Sequence, residues 1–285
     1  MTPAPDPSAI PAADAQARAA QDGLSFDELM EDLLPAARAL AIAPISGFAV
    51  GAVAQGASGT LYLGANLEFP GMPLGASVHA EQAAIANAWH HDETGVTALA
   101  VTAAPCGHCR QFLNELVAAA RLRVLLPGTA PAGLATLLPA AFGPHDLGVP
   151  GGLMQPSSHA LTLAGSASAT EPPPPVSAAV VAALGSAASS YAPYSKTYAG
   201  VALALRDGSV HAGRYAENAA FNPSLPPLQA ALVRLAMRSI PFAEIRGAVL
   251  AETDGPVSHR LATEALLAAV APNVALTYVR AVRQA

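Results

Sequence analysis

Val78-His79-Ala80-Glu81-Gln82 and, farther along, Thr102-Ala103-Ala104-Pro105-Cys106-Gly107-His108-Cys109-Arg110-Gln111-Phe112 are the two stretches on which the reading of this 285-residue chain turns. Cys106 and Cys109 are its only cysteines, so one C-x-x-C stands downstream of one His-x-Glu. Together they offer three zinc ligands, His79, Cys106 and Cys109, and one acid–base side chain, Glu81. A catalytic zinc needs three protein ligands and a fourth position for water. Cys106 and Cys109 are three apart, which puts them on one face of the first turn of a helix opening at Cys106. Their thiols must ionise to bind metal, and both a helix N-terminus and the metal favour that. Two thiolates and a neutral imidazole balance one dication, which leaves a bound water acidic enough to ionise near neutrality. Glu81, two residues past His79, is placed to take a proton from that water and pass it on.

The segments around these stretches alternate strand and helix. Ser25 is a helix cap before Phe26, and Leu29, Leu33, Leu34, Ala37 and Leu40 recur at helical spacing up to Pro44. Residues 48–54 and 59–63 read as strands around the turn at Gly56-Ala57-Ser58-Gly59. A helix from near His79 to Trp89 is followed by a short buried strand over Thr97–Thr102. The helix at Cys106 then points Phe112, Leu113, Leu116 and Val117 inward, and Arg121–Leu126 reads as another strand. Both half-motifs thus stand at loop-to-helix junctions of an α/β unit.

Two other chemistries fit parts of the motif. C-G-H-C is also the tetrapeptide of disulfide oxidoreductases, but Pro105 stands where an aromatic residue is usual, and redox chemistry leaves His79 and Glu81 without a role. A structural zinc would want four ligands; His108 is available in sequence but, on a helical turn between the cysteines, is expected to point elsewhere.

Composition narrows the partners. A formal charge of −6 and a single lysine, Lys196, leave no cationic cluster for a polynucleotide, so a small substrate of little charge is expected. No run approaches the roughly 20 apolar residues that span a bilayer. The N-terminus has no basic segment before an apolar one, and two cysteines make no disulfide framework, so a cytoplasmic location is the expectation. Residues 1–24 read as an N-terminal tail rich in Ala, Pro and Asp, residues 25–149 as the metal-containing domain, and 150–175 as a linker ending in Pro172–Pro175. Residues 176–285 look like a second copy. Pro193-Tyr194-Ser195 resembles Pro44-Ile45-Ser46, Gly200-Val201-Ala202 resembles Gly51-Ala52-Val53, and Asn218-Ala219-Ala220-Phe221 resembles Asn66-Leu67-Glu68-Phe69. Pro227-Leu228-Gln229 lies near where His79-Ala80-Glu81 would fall, and the copy has no cysteine.

In this order, Phe48-Ala49-Val50-Gly51-Ala52, Gly64-Ala65-Asn66-Leu67-Glu68-Phe69 and the two metal stretches resemble cytidine deaminase, of the homodimeric two-domain bacterial type. Ala141-Phe142-Gly143-Pro144 and residues 215–223 resemble the same subgroup, and the similarity runs over roughly residues 25–285. A neutral His79 followed by neutral Gln82 fits the dimeric branch; the tetrameric branch pairs a third thiolate with an arginine. The resemblance implies a mixed sheet flanked by helices in three layers, duplicated, with a zinc-free second copy. It implies one Zn2+ per subunit on His79, Cys106 and Cys109, and attack by a zinc-bound hydroxide on C4 of cytidine or 2′-deoxycytidine. Glu81 then carries the proton to N3 and on to departing ammonia. It assigns Asn66 and Glu68 to the ribose, although a turn pair at a strand end is their plainer reading. Phe48 and Phe142 fall to the base, and the backbone of Ala80 to its O2. Ala220 and Phe221 of one subunit are implied to close the site of the other.

Overall fold

The computed structural model describes residues 6–164 and 174–284. The run Pro172–Pro175 lies partly outside the described residues, and a helix is already under way at Pro174. Two sheets of one plan account for the resemblance between the halves. The first contains β1 (Ala9–Ile10), β2 (Gly51–Gly56), β3 (Leu61–Ala65), β4 (Val96–Val101), β5 (Arg123–Leu125) and β6 (Ala132–Gly133), in the order β1-β3-β2-β4-β5-β6. The second contains β7 (Leu161–Leu163), β8 (Ala199–Leu205), β9 (Val210–Arg214), β10 (Ile245–Thr253) and β11 (Leu276–Arg283), in the order β7-β11-β10-β8-β9. β2 pairs antiparallel with β3 and β4, and β4 parallel with β5; β8, β9, β10 and β11 repeat that pattern. The fold is α/β, mixed sheets flanked by helices, duplicated.

Strand alternation sorts the side chains into layers. Ala52, Ala54, Leu99 and Val101 face α4 (Ala80–His90), while Val53, Ala98 and Ala100 face α1 (Ala12–Asp22), α2 (Phe26–Asp32) and α3 (Leu34–Arg38). In the second sheet Val201, Leu203 and Leu250 face α8 (Pro227–Met237), and Ala202, Ala204 and Val249 face α7 (Pro174–Ala188). α4 and α8 pack on each other, so one core joins both halves between the two sheets. Ala80 to Trp89 are all buried, which explains why α4 lacks a polar stripe. Gly64 makes this close packing possible: a Cβ there would stand 2.2 Å from Ala84 N and 2.6 Å from Ala80 O. Gly213 does the same for α8, where a Cβ would meet Ala231 N at 2.2 Å and Pro227 O at 2.6 Å.

These matched contacts set the register of the repeat and correct two alignments. Ala80 corresponds to Pro227, so Pro226-Pro227-Leu228 rather than Pro227-Leu228-Gln229 stands where His79-Ala80-Glu81 does. Glu68 accepts from Ile45 N, Ser46 N and Ser46 Oγ, and Glu217 accepts from Tyr194 N, Ser195 N and Ser195 Oγ. Glu217 is therefore the counterpart of Glu68, and the match of Asn66-x-x-Phe69 to Asn218-x-x-Phe221 is three residues out of register.

Other expectations change where long-range contacts outweigh local pattern. The helix expected to run unbroken from Phe26 splits at Leu33, because Pro35 has no N–H to continue it. Ser25 does cap α2, its Oγ accepting from Glu28 N while Glu28 Oε2 accepts from Ser25 N. Val117 is exposed rather than inward. Within the stretch expected as a linker, β7 pairs with the edge of the second sheet.

The stretch expected as a tail contains β1 and α1, with Ala15 and Ala19 buried against α2. Asp6 accepts from Ser8 N and Oγ and lies 3.3 Å from both His91 Nε2 and Arg238 NH1, which come from different halves. Burial alone would raise the Asp6 carboxyl, but the bonds from His91 and Ser8 and the Arg238 charge outweigh it and hold it well below the usual range. The bond from Asp6 raises His91 above its ordinary value. Asp6→Ala is expected to lower stability by about 2 kcal/mol, the scale of a charge-assisted hydrogen bond lost from a partly buried site, read as a shift of the urea midpoint. Because His91 is raised on folding, its contribution is complete below about pH 6.5 and is lost as pH rises through the higher folded value. Exchange of the Leu63 amide, which donates to Ser8 O, should quicken over that window.

Candidate active site

The metal-binding half-motifs meet because each places a ligating side chain at a helix N-cap. His79 caps α4 in extended backbone, and Cys106 caps α5 (Gly107–Leu113) with φ −69° and ψ 169°. Cys106 is thus outside the helix rather than on its first turn. Cys109, the third helical residue, is where an N-cap side chain folds back, so the two sulfurs converge. His79 Nδ1 lies 3.5 Å from Cys106 Sγ and 3.2 Å from Cys109 Sγ. A nitrogen and a sulfur on one tetrahedral zinc, at ordinary bond lengths, lie roughly 3.5 Å apart; both separations come close to that, and the two sulfurs are within 4.8 Å of each other, so the three suit that ion. Arg110 Nε donates to Pro105 O and Arg110 NH1 to Leu137 O, pinning the loop that delivers Cys106.

The electrostatics agree with that fit. Burial, with the nearby His108, lowers His79 and keeps its imidazole neutral. Burial and then the Glu81 carboxylate push the Cys109 thiol far up, so ionising it calls for a strong positive charge beside the sulfur. Glu81 is 4% exposed, and burial raises its carboxyl, partly offset by its own backbone N–H and the Cys109 thiol.

His108 differs from expectation. It does not point away: His79, Cys106, His108 and Cys109 each offer a ligating atom, all within 4.8 Å of one another. The expectation assumed that Cys106 was helical; with Cys106 at the cap, His108 is only the second residue of the helix and brings a ring nitrogen to the cluster. Its Nε2 lies 3.3 Å from Asn222 O, which can only accept, so Nε2 carries the proton; Nδ1 is buried without a partner.

A cleft of about 300 Å³ opens over the cluster, lined among others by Phe48, Asn66, Glu68, His79, Ala80, Glu81 and Cys106. Asn66 Oδ1 accepts from Val50 N at 2.8 Å and Nδ2 donates to Phe48 O at 3.0 Å, while Glu68 holds Ile45 and Ser46. Both side chains thus order the loop that presents Phe48, which is 61% exposed at the rim. Glu217 makes the same bonds in the half without cysteines, so caging this loop is the carboxylate's architectural role in both halves.

Phe142, Ala220 and Phe221 do not line the cleft of their own chain. Gln111 Nε2 donates to Phe142 O, and Asn218 Nδ2 donates to Gln111 O, so both segments are tied to one side of α5. Phe142 and Phe221 remain exposed there. Among the described residues the second half adds no side chain to a ligand cluster: Pro226, Leu228 and His259 stand where His79, Glu81 and Cys106 do. Sequence reasoning gave no structural role to Gln111, Gln82 or Glu115; each bonds a partner more than a hundred residues away, so no local spacing marks them.

Residues 25–124 and 134–264 each match a family described as "Cytidine and deoxycytidylate deaminase zinc-binding region". A cytidine deaminase of Vibrio atlanticus is 48% identical over 257 residues, covering 90% of this chain and 84% of that protein. One of Yersinia pestis is 49% identical over 238 residues, 84% of this chain and 78% of that protein. Among solved structures, a cytidine deaminase from Mycobacterium tuberculosis is 33% identical and covers 41% of this chain and 96% of that one, with a TM-score of 0.38.

Proposed function

This chain belongs to the cytidine deaminase family, and we propose that it hydrolyses cytidine and 2′-deoxycytidine to uridine and 2′-deoxyuridine with release of ammonia, in pyrimidine salvage. The observation that carries the reading is the convergence of His79, Cys106 and Cys109, within 3.5 Å of the His79 Nδ1, beside a buried Glu81 under a nucleoside-sized cleft. His79 Nδ1, Cys106 Sγ and Cys109 Sγ hold zinc, which when bound supplies the Lewis acidity that lowers the pKa of a water.

Glu81 does the proton work. A C4–O bond forms and the C4–N4 bond breaks, so one proton of the attacking water must reach ring N3, where the product keeps it, and the other must pass from the C4 hydroxyl to the departing amine. A carboxyl raised by burial takes and releases protons nearer neutrality than an exposed one. Phe48 packs on the base, and the Ala80 backbone at the start of α4 meets its O2. Asn66 and Glu68 keep lone pairs beyond their loop contacts, and these meet the ribose hydroxyls.

The exposed edge that carries Phe142, Ala220 and Phe221 serves the cleft of a second copy, making the active form a homodimer with water excluded at the subunit interface. Its support is that Phe221 is 67% exposed while the loop beneath it is firmly bonded. The two free thiols suit the cytoplasm, and no described helix is long and apolar enough to cross a membrane.

Purified protein given cytidine should deplete the absorbance of the cytosine ring while metal analysis of the same sample finds one zinc per chain. Full zinc loading without turnover of cytidine or deoxycytidine would overturn the reading.

A further inference from the structure

Residues Asn218 to Ser224 form a loop whose tip projects from the molecule while both flanks are buried. Ala220, Phe221 and Asn222 are exposed; Asn218, Ala219 and Pro223 are not. Phe221 has φ +63°, the left-handed region that a non-glycine residue keeps only where its surroundings over-determine it. The surroundings here are the first half of the chain. Glu115, buried and bonded to the hydroxyls of Tyr191 and Tyr194, accepts from Ala219 N at 2.8 Å. Asn218 Nδ2 donates to Gln111 O at 2.9 Å, Gln82 Nε2 donates to Pro223 O at 3.0 Å, and His108 Nε2 donates to Asn222 O at 3.3 Å.

Three of these four partners adjoin the proposed zinc ligands. Gln82 is on the first turn of α4 with Glu81, and its Oε1 also accepts from His79 N at 3.3 Å, so one side chain links a ligand's backbone to the loop. His108 lies between Cys106 and Cys109, and Gln111 two residues beyond. Whatever fixes the N-termini of α4 and α5 relative to one another therefore also fixes both sides of the loop.

We propose that each subunit's metal centre, acting through Gln82 and His108, braces the loop that closes the other subunit's nucleoside cleft, so that the two sites of the dimer are coupled. This rests on the homodimer reading above. Gln82 is a positioning residue. It touches neither nucleoside nor metal in this scheme, and its loss should weaken substrate binding in the opposite site while sparing turnover there.

Mixed dimers carrying two different tags separate these effects. When one subunit carries Glu81→Gln with Gln82→Ala and the other is unaltered, the only working cleft is closed by the unbraced loop. Its KM for cytidine should rise roughly fivefold or more over that of a dimer carrying Glu81→Gln alone, the scale set by one lost hydrogen bond, with kcat changed less than about twofold. When Glu81→Gln and Gln82→Ala are on opposite subunits, the working cleft has an intact brace, and its KM should stay near that of the Glu81→Gln reference. The reverse pattern, or equal KM in every dimer, would overturn the coupling. If Gln82→Ala does not fold, Gln82→Met keeps the volume, removes the donor and carries the same expectation. In the unaltered protein, chelating zinc should quicken exchange of the Ala219 and Phe221 amides, and unchanged exchange would also overturn it. A monomer by light scattering at assay concentration would instead take down the homodimer reading itself.

Discussion

Glu81→Gln should leave the fold and one zinc per chain in place while lowering kcat for cytidine by about four orders of magnitude, the upper range for loss of a general acid–base group that acts in more than one step. The amide is nearly isosteric, and burial already raises Glu81 toward its neutral form, so Gln fits the site without a desolvated charge. What disappears is an atom that can gain and lose a proton. Cytidine should still bind, so KM changes far less than kcat. Turnover within about tenfold of the unaltered enzyme would show that the proton travels by another route.

Cys106→Ala should release zinc and abolish turnover, while His108→Ala should retain one zinc per chain. The first removes a donor that sits 3.5 Å from His79 Nδ1. Residues that merely orient a metal ligand already cost about 10- to 100-fold in affinity when lost, so loss of a ligand should cost at least about a hundredfold. The His108 comparison matters because its Nδ1 is buried near the cluster without a partner. Metal analysis after dialysis against a weak chelator reads both variants. Loss of zinc from His108→Ala would make His108 a fourth ligand and the site a closed, structural one. Retention of full zinc by Cys106→Ala would mean that the donor set has been misassigned.

Much of the site was legible because its information is local. A His-x-Glu and a C-x-x-C at two helix starts fix the donors within one turn of each cap, and short range is where sequence spacing translates directly into position. His108 shows the limit of that logic. Its direction depends on whether Cys106 is the cap or the first helical residue, a difference of one position that spacing does not resolve. Asn66 and Glu68 were legible as turn residues and as cleft residues alike; their bonds to the loop that presents Phe48 give the turn role, and the matching network at Glu217 repeats that of Glu68. Val117 and the break before Pro35 are smaller cases, in which helical periodicity continued past the point where backbone geometry stopped it.

The amino-acid order alone pointed to the α/β plan by its periodicity, to the duplication by stretches in the two halves that resemble one another, and to three candidate donors and a candidate proton carrier by two short motifs and the family resemblance they carry. Only the tertiary structure decided that residues 6–22 dock, with Asp6 bridging the two halves, that Phe142 and Phe221 do not line their own cleft, and that Gln82, His108 and Glu115 hold a loop more than a hundred residues away. Such contacts join segments distant in the chain; they arise where α4 and α8 meet in a shared core and leave no periodic trace in the sequence.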